Sequence, residues 1–213
     1  SIYVYGSAVS GDFVPGVSDI NSVVVFKEMG FLELHKSLNL ISKGIRKKIS
    51  APLFLTPEHI RDSADTFPIE FNEMKDSYLV LFGKDLLMEL KIEPSHIRFV
   101  CEQQLKGKLI RIRQAFLEIG LRKRGMEALI KESFNSLFPV FRSMLRLKSI
   151  EPPVKKENII SSLAKTFGIN GELFIALLKD KRNDEKIAGD KIERFMERYL
   201  REIQVLAEIA DKL

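Results

Sequence analysis

The residues best suited to chemistry lie near the start of the chain, in a loop between two apolar segments. Tyr3–Tyr5 and Val23–Phe26 are short runs of β-branched and aromatic residues, which predict two strands. A long loop between strands is usually functional or disordered. Eight residues between these strands favour turns: Gly6, Ser7, Ser10, Gly11, Asp12, Pro15, Gly16 and Ser18.

The two ends of this loop offer complementary groups. Asp19 and Asn21 are two residues apart, so on a strand they would project to the same face, about 6–7 Å apart along the chain. Their oxygens are the kind of ligand that a hard cation takes. At the other end, Gly6 lets backbone approach a phosphate, and Ser7 can hydrogen-bond one.

The order of these residues resembles the nucleotidyltransferase superfamily typified by DNA polymerase beta and kanamycin nucleotidyltransferase. Gly6-Ser7 matches the family's Gly-Ser at the end of a first strand, and Asp19-Ile20-Asn21 stands where the family has Asp-x-Asp. Glu70, in Phe67–Phe71, looks similar to the third carboxylate, which the family carries on a later strand. The resemblance implies an α+β fold, in which a small mixed-sheet domain precedes an all-α helical bundle.

The resemblance also implies a reaction, the transfer of a nucleoside monophosphate from an NTP to a hydroxyl, assisted by Mg²⁺ or Mn²⁺. Asp19 and Glu70 would be the catalytic residues, and Asp19, Asn21 and Glu70 the metal ligands. Gly6 and Ser7 would form the phosphate loop. The acceptor stays open among a small molecule, a protein side chain and an RNA end.

Asn21 is the main departure from the family pattern. An amide keeps an oxygen ligand but removes a negative charge, so the site is less able to hold two divalent cations. A second hypothesis is therefore a catalytically degenerate member that binds a nucleotide or a protein partner without turnover. A simpler interpretation of the loop is a β-hairpin with a capping Asp, since short motifs are weak evidence.

Composition describes an ordinary globular protein with a basic surface. The 213 residues are 45% hydrophobic and 30% charged, and the formal net charge is +5. A basic chain suits polyanions such as nucleotides or RNA, which gives a third hypothesis, a basic nucleic-acid-binding protein. The single cysteine, Cys101, excludes an internal disulfide and favours a cytoplasmic location. No apolar run is long enough to predict a membrane span.

We expect an α/β domain over residues 1–92. A helix is predicted from about 31 to 48, and the cations Lys43, Arg46, Lys47 and Lys48 at its end complement the helix dipole. A short strand at Leu53–Leu55, a helix beginning at Thr56-Pro57, a strand carrying Glu70 and a strand at Tyr78–Phe82 follow. The family usually has a helix before the first strand, so we expect that upstream residues are missing here.

Residues 93–213 are expected to form the helical bundle. The apolar spacing predicts a first helix of about 26 residues, and it places a solvated charged loop at Lys179–Asp184. The other predicted helices are one over Met126–Leu145, one over Lys155–Phe167, one capped by Asn170, and a last one from about Glu185. Lys106 and Lys108, on the first helix of about 26 residues, are candidates to reach a bound triphosphate. The apolar stripe of the last helix suits a homodimer as well as a monomer core.

Overall fold

The computed structural model describes residues 1–11, 13, 16, 18–182, 187 and 191–213. The chain divides into two compact units, Ser1–Glu93 and Pro94–Leu213. Together they combine a mixed sheet with many helices, so the α+β class is confirmed at that level. In the described part of the chain, no helix has the length and apolarity needed to cross a membrane.

The first unit is built on a four-stranded sheet in the order β3-β2-β1-β4. The central strand β1 pairs antiparallel with β2 on one side and with β4 on the other, while β2 and β3 are parallel. The strands predicted near the chain start, at Leu53–Leu55 and at Tyr78–Phe82 are all present. Their bounds are β1 Ile2–Tyr5, β2 Asn21–Val25, β3 Leu53–Leu55 and β4 Tyr78–Phe82.

Four helices accompany the sheet: α1 Ser7–Ser10, α2 Phe31–Ile45, α3 Pro57–Asp62 and α4 Pro68–Asp76. The core packs α3 and α4 on one face of the sheet, where Ile60, Phe71 and Met74 lie in one buried cluster with Tyr3 and Val23. Thr56 caps α3 by accepting the His59 amide, as its position before Pro57 predicts. This packing fixes the central strand that leads into Gly6.

The prediction that Glu70 lies on a strand is wrong, because Pro68–Asp76 form the helix α4. Pro68 stands in the first turn of the helix, where its fixed φ fits and its missing N–H is not needed. Phe71 and Met74 are three residues apart and both are buried, which is a helical spacing. Glu70 lies in the first turn of α4 and is exposed to solvent.

The predicted helix at 31–48 is present as α2, but it ends at Ile45 and none of its residues is buried. Most of its apolar side chains face solvent, among them Phe31 at 81% exposure and Leu40 at 72%. The crossovers β2-α2-β3 and β3-α3-α4-β4 run in opposite directions across the sheet, and right-handed connections then place their helices on opposite faces. We therefore expect α2 on the face opposite α3 and α4, where Leu79 and Leu81 are also exposed.

The second unit is helical over its described residues. Its first helix, α5 Pro94–Ile119, has 26 residues, as predicted. The others are α6 Lys123–Asn135, α7 Phe138–Leu147, α8 Lys156–Phe167, α9 Gly171–Arg182 and α10 Ile192–Asp211. Asn170 caps α9, since its Oδ1 accepts the Leu173 amide at 3.1 Å. Phenylalanines of α6, α7 and α9 pack with Tyr199 of α10 in the core: Phe134, Phe138, Phe141 and Phe174.

Two predictions for this unit are corrected. The helix predicted over Met126–Leu145 is two helices, because Pro139 in the first turn of α7 cannot donate to Asn135 and its ring would clash with that carbonyl. The charged loop predicted at Lys179–Asp184 is helical to Arg182. Within it, Asp180 is buried and pairs with Lys131 at 2.8 Å. Asp184 and the predicted start of the last helix at Glu185 lie outside the described residues.

Candidate functional site

The candidate site is centred on the turn where β1 leads into α1. Gly6 has φ 77° and ψ −146°, a conformation open essentially to glycine alone. Its amide donates to the Ser77 carbonyl at 2.9 Å, which ties the turn to the start of β4. Its carbonyl accepts from the Val9 and Ser10 amides, so the chain reverses within a single helical turn. Ser7 is the first residue of that turn.

The turn lies directly against the start of β2. A Cβ placed on Gly6 would come 3.7 Å from Asn21 Nδ2, so the Asn21 side chain lies beside Gly6. The register agrees, since Asn21 is opposite Tyr5, the residue before Gly6. The structure therefore brings together Gly6, Ser7 and Asn21, residues 14–15 positions apart in the sequence.

Asp19 stands two residues before Asn21 and is exposed. It precedes β2 rather than lying within it, and the adjoining Ile20 forms a parallel bridge to Ile49. The Ile20 amide donates to Lys48 O at 2.9 Å, and the Ser50 amide donates to Ile20 O at 3.0 Å. These two bonds hold the backbone next to Asp19 in place.

The candidate metal ligands at this site, Asp19 and Asn21, suit one cation better than two. Within the described part of the chain, no three His, Cys, Asp or Glu side chains converge as a metal-binding group. Asp19 and Asn21 supply one carboxylate and one amide, which fits a single Mg²⁺ that keeps waters and phosphate oxygens as its other ligands. A bridged pair of cations fits poorly, because Glu70 lies on α4 and β4 contains no acidic residue.

Sequence analysis missed the polar network that holds β4 beside the site. Tyr78 OH donates to Asp85 Oδ2 at 2.7 Å, while Asp85 Oδ1 accepts the amides of Leu87 and Met88. Burial, together with this bond to Asp85, raises the pKa of Tyr78 to about 12. Tyr78 therefore stays protonated and keeps donating at neutral pH, so β4 remains anchored.

Tyr3 makes a similar hydrogen-bonded connection, from β1 to the segment that follows β4. Its hydroxyl donates to Lys84 O at 2.6 Å and accepts the Leu86 amide at 2.9 Å. Gly83, with φ 84°, permits this turn, since a Cβ there would lie 2.6 Å from Ser1 Oγ. The tyrosines at alternate positions and the Gly83-Lys84-Asp85 turn were the sequence signals for this network.

The two candidate lysines belong to the second unit and are both engaged there. Lys106 pairs with Glu102 at 2.5 Å and with Asp211 at 3.8 Å, and its bond to Glu102 raises its pKa. The Lys108 ammonium donates to Ser136 Oγ, and burial lowers its pKa. Lys106 would have to leave its carboxylate partners before it could bind a triphosphate.

Comparison with protein-family models, with curated proteins and with solved structures found no match to this chain.

Proposed function

We propose that the first unit binds a Mg²⁺-bound nucleoside triphosphate at the turn between β1 and α1, and that it transfers the nucleoside monophosphate to a hydroxyl acceptor. The observation that carries the proposal is the position of the Asn21 side chain beside Gly6. It supports a site in which the glycine turn would take phosphate, while Asn21 and Asp19, two residues earlier, would offer oxygens to a hard cation. The same residues carry the resemblance to the nucleotidyltransferases.

In this proposal each residue has a defined task. The Gly6 backbone leaves room for phosphate oxygens, and the Ser7 hydroxyl donates to one of them. Asp19 and Asn21 would hold the Mg²⁺, which supplies charge neutralisation at the phosphoryl group. Glu70 is the remaining carboxylate implied by the resemblance, and Glu70→Gln tests whether it acts as a base toward the acceptor.

A second candidate function is nucleotide binding without turnover. It is favoured because Asn21 is an amide where the family pattern has a carboxylate, so one negative charge is missing. Asn21 and the acid-free strand β4 leave Asp19 as the one motif carboxylate next to the sheet strands, since Glu70 is on α4, and Asp19 lies at an exposed position. Binding needs only the phosphate turn and one cation. Transfer also needs charge stabilisation in the transition state, which a second carboxylate would improve by retaining more metal.

The proposed nucleotide site is tested by calorimetric titration of the protein with ATP in the presence and absence of Mg²⁺. A charged ligand interaction contributes about 1.5–3 kcal/mol, so Asp19→Ala should weaken Mg·ATP binding by about 10- to 100-fold. Asp62→Ala is the matched control, because it removes another exposed carboxylate from the same unit. Equal affinity in the wild type and Asp19→Ala would remove the nucleotide site from this turn.

A further inference from the structure

The end of α2 carries a concentrated positive charge that the proposed function does not use. Lys43, Arg46, Lys47 and Lys48, the basic turn, place four cations within six residues, and all four are exposed. The rest of the unit does not share this charge. Over residues 1–93 the sequence has 10 Lys or Arg and 13 Asp or Glu, so the unit as a whole is acidic.

The backbone of the basic turn is held in a defined shape. The Ile49 amide donates to Gly44 O at 3.0 Å and the Lys48 amide to Ile45 O at 3.1 Å, the bond pattern of a Schellman motif. Lys48 has φ 63° and occupies the left-handed position where glycine is usual. A lysine there is conformationally costly, and it adds a charge where glycine would be the more stable choice.

The basic turn lies at the candidate site. The bonds from the Ile20 amide to Lys48 O and from the Ser50 amide to Ile20 O fix its end against the residue that follows Asp19. Because Ile20 and Ile49 pair in parallel, Asp19 and Lys48 are the residues that precede this pair on the two neighbouring segments.

Among the described residues, none of the four cations of the basic turn forms an ion pair. Lys43, in the last turn of α2, complements the helix dipole. Arg46, Lys47 and Lys48 follow within one turn of the helix end, where the dipole favours their positive charge without pairing with it. The basic turn is therefore available to an external anion.

We propose that the basic turn binds the phosphodiester backbone of a single-stranded nucleic acid. A Mg·NTP complex has about two net negative charges to offer four cations, whereas a strand presents one phosphate for each nucleotide along the turn. If the nucleotidyl transfer proposed above takes place, the bound strand is its hydroxyl acceptor, and the acceptor role rests on that proposal. The binding itself does not.

The test is fluorescence anisotropy with a fluorescein-labelled oligouridylate at several salt concentrations, without Mg²⁺ or NTP. The triple variant Lys43→Gln/Arg46→Gln/Lys47→Gln should bind more weakly, and the slope of log K against log salt should fall by about 2, from three lost contacts at roughly 0.7 each. The control Lys27→Gln/Lys36→Gln/Lys91→Gln removes three other exposed cations of the same unit and should keep the wild-type slope. Lys48→Gly, which suits the left-handed turn, should lower the slope by about 0.7.

An unchanged slope in the triple variant, or an equal loss in the control, would overturn the proposal. It would also be overturned if the triple variant lost affinity for Mg·ATP but not for the oligouridylate, because the cations would then serve the donor nucleotide. Asp19→Ala should bind the oligouridylate at least as tightly as the wild type, because it removes a negative charge beside the basic turn. Failure of nucleotidyl transfer with intact strand binding is thus distinguishable from failure of this inference.

Discussion

At the scale of single residues, charge at the Asp19 and Asn21 positions limits what the site can do. Asp19 brings one carboxylate, and Asn21 brings an amide that lies against Gly6. This set can hold one Mg²⁺ that retains part of its water shell. Asn21→Asp would add a carboxylate without changing the size of the side chain, so it tests charge separately from shape.

Gly6 is the residue on which the shape of the turn between β1 and α1 depends. Its φ of 77° with ψ −146° lies in a region that side chains other than glycine rarely adopt. We expect Gly6→Ala to cost about 1–3 kcal/mol of folding free energy, through backbone strain rather than a clash. Urea unfolding followed by tyrosine fluorescence reports on this unit, since Tyr3, Tyr5 and Tyr78 are three of the four tyrosines.

Gly11→Ala is the matched comparison for Gly6→Ala. Gly11 has φ 85° and ψ 2°, near the milder left-handed helical region, and nothing lies within 4 Å of an added Cβ. Gly11→Ala should cost about 1 kcal/mol of folding free energy, which is less than the cost of Gly6→Ala. Equal costs at the two positions would show that the strained conformation of Gly6 is not retained in solution.

The motif residues could be identified from sequence, but not all of their surroundings. Gly6, Ser7, Asp19 and Asn21 follow from residue type and order along the chain. The burial of Asp180 could not be predicted from the sequence, because its partner Lys131 is 49 positions away along the chain. A charged run looks solvated until the helix that packs on it is known.

At the scale of elements, helices whose apolar residues repeat clearly at the helical spacing could be predicted from the sequence. The predictions were wrong where a proline stood inside an apolar pattern. The 26 residues of α5 and the cap of α9 by Asn170 were predicted. The strand predicted to carry Glu70 is the helix α4, which begins at Pro68, and Pro139 divides one predicted helix into α6 and α7. A proline is compatible with a first helical turn and with an edge strand, so local sequence alone does not decide between them.

The exposure of α2 gives a prediction at this scale. Leu38 on α2 is 59% exposed, whereas Leu105 on α5 is fully buried. Leu38→Ala should change the free energy of unfolding by less than about 0.5 kcal/mol, while Leu105→Ala should cost about 2–5 kcal/mol. Urea denaturation of the two variants provides the comparison. A large cost for Leu38→Ala would mean that α2 is covered in solution, for instance in a homodimer, and sedimentation of the wild type would then show the dimer.

At the scale of the whole molecule, charge differs between the two units. Residues 94–213 have 24 Lys or Arg against 16 Asp or Glu, while residues 1–93 are acidic overall. The net charge of +5 thus conceals an acidic first unit with a single concentrated basic turn. Composition pointed to polyanionic partners, but only the pairing of Ile20 with Ile49 places that turn beside Asp19.

The central claim, a nucleotide site at the Gly6 turn that supports transfer, is tested most directly by pyrophosphate release. Each NTP would be supplied with Mg²⁺ or Mn²⁺ to wild type, Asp19→Ala and Asn21→Asp, with RNA, aminoglycosides and the protein itself as acceptors. We predict slow release by the wild type, none by Asp19→Ala, and about 10-fold or faster release by Asn21→Asp, equivalent to roughly 1.4 kcal/mol of added transition-state stabilisation. No release by either the wild type or Asn21→Asp would contradict transfer, and release that persists in Asp19→Ala would contradict the site.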